Sequence, residues 1–401
     1  MLTPSEHPLD PMTIVRSLTS LPHRGAATAL ERRAADILEN HLQRLGAAVE
    51  RQPFRTPKTY IVVTWWLIAG LVLGLLLIPA AAWWAFVLVV LSAGLALVYF
   101  DWRAVPVTLL PPQGTSENII ARAPQGADTD PARSPKKLIL MAHYDSAPVS
   151  MLYLPSMVKS FRQSLRMSLG LMVLAMVVAL LDVLAIGQPI VTWLRYALVV
   201  YFLGQGVMSS IDFLRYGYTN GAADNATGTA VAVATADRLW RNPLPGWEVE
   251  LVLTGAEEAN LVGARAYYVR HREELSREHT YVFNFDNLGA GQIKIITRTG
   301  SITKVDYDNA LVDAALATAG GDPRFAAITP GVWHTGDFDS LWFARAGIPS
   351  LALSAQDQDG LIPNLHRPSD TIDNVDETLP AHAVDFAEAT IRCLAEMRSG
   401  G

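Results

Sequence analysis

Five short segments carry the side chains that could do chemistry. In chain order they are His143-Tyr144-Asp145-Ser146, Gly221-Ala222-Ala223-Asp224-Asn225, Gly255-Ala256-Glu257-Glu258, Asn284-Phe285-Asp286-Asn287 and Asn364-Leu365-His366. They offer His143 and His366, the acids Asp224, Glu257, Glu258 and Asp286, and an orienting aspartate, Asp145. Imidazole and carboxylate in these numbers suit a site for two divalent cations. Such a pair activates water and polarises a carbonyl or phosphoryl oxygen, so hydrolysis is the chemistry to expect.

Each segment has an ordinary reading as well. Lys137–Ala142 is an apolar strand with His143 emerging at its C-terminal end, the edge where open α/β sheets place ligands. A lone histidine there is more often structural. Asp145, two residues on, could hydrogen-bond the ring nitrogen that a metal leaves free. Asp224 could simply cap a helix; among the other acids it reads as a carboxylate bridging two metals. Glu257 and Glu258 end the strand 248–254, and adjacent glutamates point apart, so one can bind metal while the other handles a proton. Asp286 ends the apolar strand 281–285, and His366 sits in the proline-flanked loop 362–368.

The elements that must position these groups alternate. Strands are expected at 48–54, 118–122, 137–142, 248–253, 281–285, 292–296 and 350–353. Helices are expected at 26–45, 226–240, 261–275, 305–319, 338–346 and 377–397, and a polar loop at 124–135. That alternation implies an α/β sandwich on a largely parallel sheet.

Two apolar stretches interrupt it. Residues 60–78 and 83–100 carry no charge, and Pro79-Ala80-Ala81-Ala82 between them allows only a tight reversal. Crossing a bilayer takes about 20 apolar residues. Residues 167–186 and 190–214 form a second pair containing Asp182 and Arg195. In a hairpin turning at Gly187-Gln188-Pro189 those two charges reach similar depth and can pair. Core helices are the soluble alternative, but the first two runs lack a polar face. Arg51, Arg55, Lys58, Arg103, Lys159, Arg162, Arg166 and Arg215 flank the near ends of the hairpins, against Arg195 alone near the far turns. The positive-inside rule then puts the polar bulk in the cytoplasm. The expectation is an integral protein of a bacterial inner membrane, in contact with lipid.

Composition agrees. Half the residues are hydrophobic, 17% are charged and the net charge is −6, which leaves no basic stripe for nucleic acid. The single cysteine, Cys393, permits no intrachain disulfide. The N-terminus MLTPSEHPLD shows no signal peptide.

The order His-x-Asp, Asp-Asn, Glu-Glu, Asp, His resembles the co-catalytic di-zinc aminopeptidase family, whose relatives include glutaminyl cyclases, glutamate carboxypeptidase II and the transferrin receptor. The resemblance covers roughly residues 20–56, 116–146 and 218–398. It implies a three-layer zinc-exopeptidase-like sandwich with a mostly parallel mixed sheet, and two Zn²⁺ per chain. By position, His143 and Asp286 would bind one zinc, Glu258 and His366 the other, and Asp224 would bridge. Asp145 would orient His143, and Glu257 would be the general base. Asp339 matches a supporting acid, whereas His334 has no assigned place. The implied activity is removal of N-terminal residues from peptides. A single-zinc glutaminyl cyclase and a non-catalytic receptor-like relative remain as alternatives. Four transmembrane helices, inserted as two hairpins, depart from the secreted members. The expected division is 1–59 peptidase, 60–100 hairpin, 101–166 peptidase, 167–214 hairpin and 215–401 peptidase.

Overall fold

The computed structural model describes residues 7–123 and 136–398. The first six residues and the loop expected at 124–135 lie outside the described residues. The elements are α1 (Pro11–Thr19), α2 (Ala29–Arg44), β1 (Ala48–Pro57), α3 (Tyr60–Phe100), β2 (Gln113–Arg122), β3 (Lys136–His143), α4 (Pro155–Val183), α5 (Ile190–Tyr216), α6 (Gly228–Arg241), β4 (Trp247–Thr254), α7 (Val262–His271), β5 (Thr280–Phe285), β6 (Gln292–Thr299), β7 (Val305–Asp306), α8 (Ala310–Gly321), β8 (Thr329–Val332), α9 (Leu341–Arg345), β9 (Ser350–Gln356) and α10 (Thr378–Met397).

The strands form one mixed sheet in the order β1-β2-β4-β3-β5-β9-β6-β7, with β8 also on β6. Neighbours from β4 through β3 and β5 to β9 are parallel, as are β6 and β8; the pairings β1–β2, β2–β4, β6–β9 and β6–β7 are antiparallel. The sheet is thus parallel at its centre and less parallel overall than the alternation of elements suggests. Antiparallel strands at both edges are the reason: β1 and β2 on one side, β6 and β7 on the other.

Successive residues of a strand face opposite sides of the sheet, and both sides are covered. Leu138, Leu140 and Ala142 of β3 pack with Leu38, Ala230, Leu311 and Phe386 from the helices α2, α6, α8 and α10. Ile139 and Met141 face the other way, onto Tyr267 of α7 and Phe343 of α9. Two helix layers on a sheet make the three-layer sandwich, and the strand ends that carry the site residues all lie at one rim.

Two local differences from the sequence reading have clear causes. Residues 305–306 pair with β6 as a strand rather than starting a helix. The helix begins instead at Ala310, where the Asn309 side chain accepts a hydrogen bond from the Leu311 N–H at 3.0 Å. The reading also passed over α1, which Asp10 caps by accepting from the Met12 N–H at 3.0 Å with Pro11 in the first turn.

The apolar stretches form a separate cluster built from α3, α4 and α5. These three helices have 41, 29 and 27 residues and are long and apolar enough to cross a membrane. The first is interrupted at Ala81 (φ −147°, ψ 57°), two residues after Pro79. A Cβ placed on Gly74 would come within 2.7 Å of the Val89 side chain, so the two halves of α3 pack on one another. Trp84, Trp193, Val200 and Leu214 stand largely exposed, as lipid-facing side chains do. Asp182 and Arg195 do pair, Nη1 to Oδ2 at 2.5 Å, and Arg195 is buried. Removing one member strands the other charge in an apolar helix pair. Asp182→Ala is expected to destabilise the α4–α5 hairpin by about 3–5 kcal/mol, read as greater protease sensitivity of that hairpin in membranes; unchanged sensitivity would show the pair to be inert.

Candidate metal centre

His143 is the last residue of β3, and its carbonyl accepts from the Thr229 hydroxyl at 2.7 Å, which pins the strand end to α6. Its Nε2 lies 3.3 Å from Asp224 Oδ1 and 3.6 Å from Asp286 Oδ1. On the other side of Asp224, His366 Nε2 lies 3.3 Å from Oδ2 and 3.2 Å from Glu258 Oε2. Asp224 therefore presents one oxygen to each histidine. The groups His143–Asp224–Asp286 and Asp224–Glu258–His366 each place their donor atoms within 4.8 Å of one another. Donor spacings of 3.2–3.6 Å suit a tetrahedral ion whose ligand bonds are about 2.0–2.2 Å.

The charge balance also fits cations. Asp224, Glu257, Glu258 and Asp286 are buried together beside two imidazoles, and buried charge of one sign needs compensation. Burial raises the Glu257 carboxyl well above its ordinary range, with His143 opposing and Glu258 adding. Burial likewise lifts Glu258 to about 7, against the pull of His366, and raises Asp286. Burial acts the same way on Asp224, but the imidazoles of His143 and His366 beside it outweigh burial and hold that carboxyl below the usual range. Burial would lower His366, yet Glu258 and Asp224 carry it up to about 10. Asp224 Oδ2 and Glu258 Oε1 are buried without a hydrogen-bond partner. The donor set therefore suits zinc.

Glu257 approaches from the side, its Oε2 3.9 Å from His143 Nε2. Asp145 does more than the sequence suggests. Its Oδ1 lies 3.5 Å from His143 Nδ1. The same carboxylate accepts from the backbone N–H groups of Glu257 at 3.0 Å and Glu258 at 3.2 Å. One side chain thus holds the backbone of both glutamates and lies beside the imidazole. Asp339 is buried against the Thr254 hydroxyl at the end of β4, and burial lifts it to about 7. His334 belongs to none of the donor groups among the described residues, and its neighbours Trp333, Thr335 and Gly336 line the adjoining cavity.

Asp224 sits in an irregular turn, Ala222–Thr227, and α6 starts only at Gly228. It is not a simple N-cap. Gly221 (φ 74°) permits the turn: a Cβ there would lie 2.7 Å from the Asp224 carbonyl and 2.8 Å from Arg24 Nη2. Asn225 holds the other flank, donating to the Phe285 carbonyl at 2.9 Å and accepting from the Asn287 N–H at 3.1 Å. Asn287 in turn donates to Asp286 Oδ1 at 2.7 Å.

Sequence reasoning missed three supports. Asp370 accepts from the N–H groups of Ala223 at 2.7 Å and Asp224 at 3.2 Å. Glu31 accepts from Ala27 N at 2.6 Å, the Ser116 hydroxyl at 2.7 Å and Ala256 N at 3.1 Å, tying the start of α2 to the residue before Glu257. The pattern Thr28-x-x-Glu31 is a capping-box signal that could have drawn attention to it. Arg24 is fully buried and donates to the carbonyls of Tyr144 at 2.6 Å, Asn220 at 2.6 Å and Gly221 at 2.7 Å. Arg24→Met leaves these acceptors unmet, at about 1–3 kcal/mol for each buried one. A loss of about 3 kcal/mol or more in a urea titration is expected, and a loss below about 1 kcal/mol would contradict this role.

Residues 207–391 match the model of peptidase family M28. The resemblance to co-catalytic zinc aminopeptidases holds. The matched segment carries Asp224, Glu257, Glu258, Asp286 and His366. His143 and Asp145 precede it, on the far side of α4 and most of α5. Among solved structures, a zinc aminopeptidase from Bacillus subtilis is similar with a TM-score of 0.56 and 16% identity, covering 95% of this chain and 94% of that one. An aminopeptidase from Aneurinibacillus sp. strain AM-1 gives 0.56 and 15%, covering 95% and 92%. A Porphyromonas gingivalis glutaminyl cyclase gives 0.53 and 16%, covering 97% of each. At these identities the likeness is one of fold. No curated protein sequence matches the chain.

Proposed function

We propose that the chain is a membrane-anchored zinc aminopeptidase that removes N-terminal residues from peptides. The observation that carries this reading is Asp224 standing between His143 and His366 with one carboxylate oxygen toward each. His143 and Asp286 would hold one zinc, Glu258 and His366 the other, and Asp224 both. The chemistry zinc supplies when bound is Lewis acidity toward water and the scissile carbonyl.

The chain's own residues do the rest. Glu257 takes a proton from the attacking water at Oε2 and passes it to the leaving amine. Asp145 holds the His143 ring from Nδ1 and keeps Glu257 and Glu258 in register through their N–H groups.

The membrane part is read as four crossings: the two halves of α3 on either side of Ala81, then α4 and α5. The peptidase portions 1–59, 101–166 and 215–401 would form one cytoplasm-facing domain, interrupted by hairpins at 60–100 and 167–214. The basic residues at the near ends of the hairpins support that orientation.

The test is a panel of aminoacyl amides and N-terminal glutaminyl peptides, run on protein of measured zinc content. Release of free amino acids with two zincs per chain is expected. Cyclisation of glutaminyl peptides with one zinc would assign the chain to the cyclase chemistry instead, and bound zinc with neither product would favour a receptor-like relative.

A further inference from the structure

The site does not open only to the polar side. One cavity of about 440 Å³ joins the cluster of His143, Asp224, Glu257, Glu258, Asp286 and His366 to the space between the apolar helices. Its far walls are Leu67 and Leu71 of α3, Leu169 and Met172 of α4, and Phe202 of α5. Tyr60 lines it at the start of α3, eleven residues before Leu71. At 1.5 Å per residue that is a depth of about 16 Å along the helix. No single side chain reaches so far. The residue on the N-terminal side of a scissile bond therefore cannot fill this space, whereas the leaving part of a substrate can.

The lining favours one kind of leaving part. Three hydroxyls on the helices are already engaged: Thr64 donates to the Tyr60 carbonyl at 3.0 Å, Ser168 to the Ser164 carbonyl at 3.0 Å, and Ser209 to the Gly206 carbonyl at 3.0 Å; Tyr99 Oη, Trp102 Nε1 and Thr335 Oγ1 also line the cavity and are without a partner. A peptide lying here would bring more N–H and C=O groups than these few atoms can meet among the leucine, methionine and phenylalanine walls, and the rest would go without partners, a costly state away from water. An alkyl chain brings none and gains with each methylene buried.

We infer that the substrate of this site is an amino acid joined through its carboxyl group to an amphiphile with a long alkyl chain, and that the chain lies between α3, α4 and α5. This rests on the aminopeptidase reading and narrows it. In the reaction the water oxygen bonds to the aminoacyl carbon and the bond to the leaving nitrogen or oxygen breaks. Glu257 carries the proton from water to the leaving atom, and the products are the free amino acid and the amphiphile.

The test uses the full chain, zinc-loaded, in lipid nanodiscs, with leucine alkylamides from butyl to dodecyl and a leucine-rich peptide of matching length. Expected is a kcat/KM that rises at least about tenfold from butyl to dodecyl and exceeds that for the peptide. Leu169→Trp and Met172→Trp, which fill the cavity, are expected to bring the dodecyl-to-butyl ratio down toward one. A flat series, or faster cleavage of the peptide, overturns the alkyl-chain assignment and leaves the aminopeptidase reading standing. A steep series that neither tryptophan variant alters reports partition into the bilayer and overturns it as well. Failure to cleave any aminoacyl amide with zinc bound overturns both readings.

Discussion

Glu257→Gln is expected to lower kcat/KM on aminoacyl amides by about 10²–10⁴-fold while zinc content stays at the wild-type level. The substitution keeps the shape of the side chain and its capacity to hydrogen-bond but removes the capacity to carry a proton. Glu257 also belongs to a donor group with His143 and Glu258, so the zinc content of the variant is what separates proton transfer from ligation. Glu258 Oε2 is 3.2 Å from His366 Nε2, whereas Glu257 Oε2 is 3.9 Å from His143 Nε2. Burial raises the Glu257 carboxyl, with Glu258, Asp339 and Asp286 adding to the effect and His143 opposing it, which is the direction a base working near neutral pH requires. Kinetics and metal analysis on one preparation check it. Wild-type rates, or loss of zinc along with activity, would show that Glu257 is not the proton carrier.

Asp224→Ala is expected to have the larger structural consequence. It removes the oxygens 3.3 Å from both histidines, so zinc content should fall at both positions and activity by more than about 100-fold. His143→Ala leaves the group of Asp224, Glu258 and His366 whole. The predicted contrast is therefore two zincs in the wild type, one in His143→Ala and fewer than one in Asp224→Ala, measured by metal analysis after gel filtration. Equal zinc in the two variants would contradict a shared Asp224.

Much of the site is legible in the chain because strand ends announce it. His143 follows Leu-Ile-Leu-Met-Ala, Asp286 follows Tyr-Val-Phe-Asn-Phe, and Glu257 comes after Val-Glu-Leu-Val-Leu-Thr with Gly255-Ala256 between, so period and polarity mark where each strand delivers a polar residue to the rim. The groups that hold those residues in place are not legible in the same way. Arg24, Glu31 and Asp370 act through contacts 85 to 225 residues away, and no local pattern encodes such a partner. Taken alone Asp224 also admits a helix-cap reading, because sequence shows an acid before a helix and not the irregular turn Ala222–Thr227.

The fold divides along the same line. The apolar runs and the central strands are strong periodic signals and were found. The edge strand β1 was found as well, but β7 was not: 305–306 is too short for periodicity and is fixed by pairing with Arg298 and Thr299. The pairing of Asp182 with Arg195 was readable from their placement about one turn and a half from Gly187-Gln188-Pro189. The cavity between helices and site was not, since it depends on how the inserted hairpins dock against the rim of the sheet.

The most direct test of the central claim is anomalous diffraction from crystals of the zinc-loaded protein, recorded on both sides of the zinc absorption edge. The account predicts two zinc peaks about 3.5–4 Å apart, one between His143 and Asp286 and one between His366 and Glu258, with Asp224 reaching both. A single peak, or none at these side chains, would contradict it.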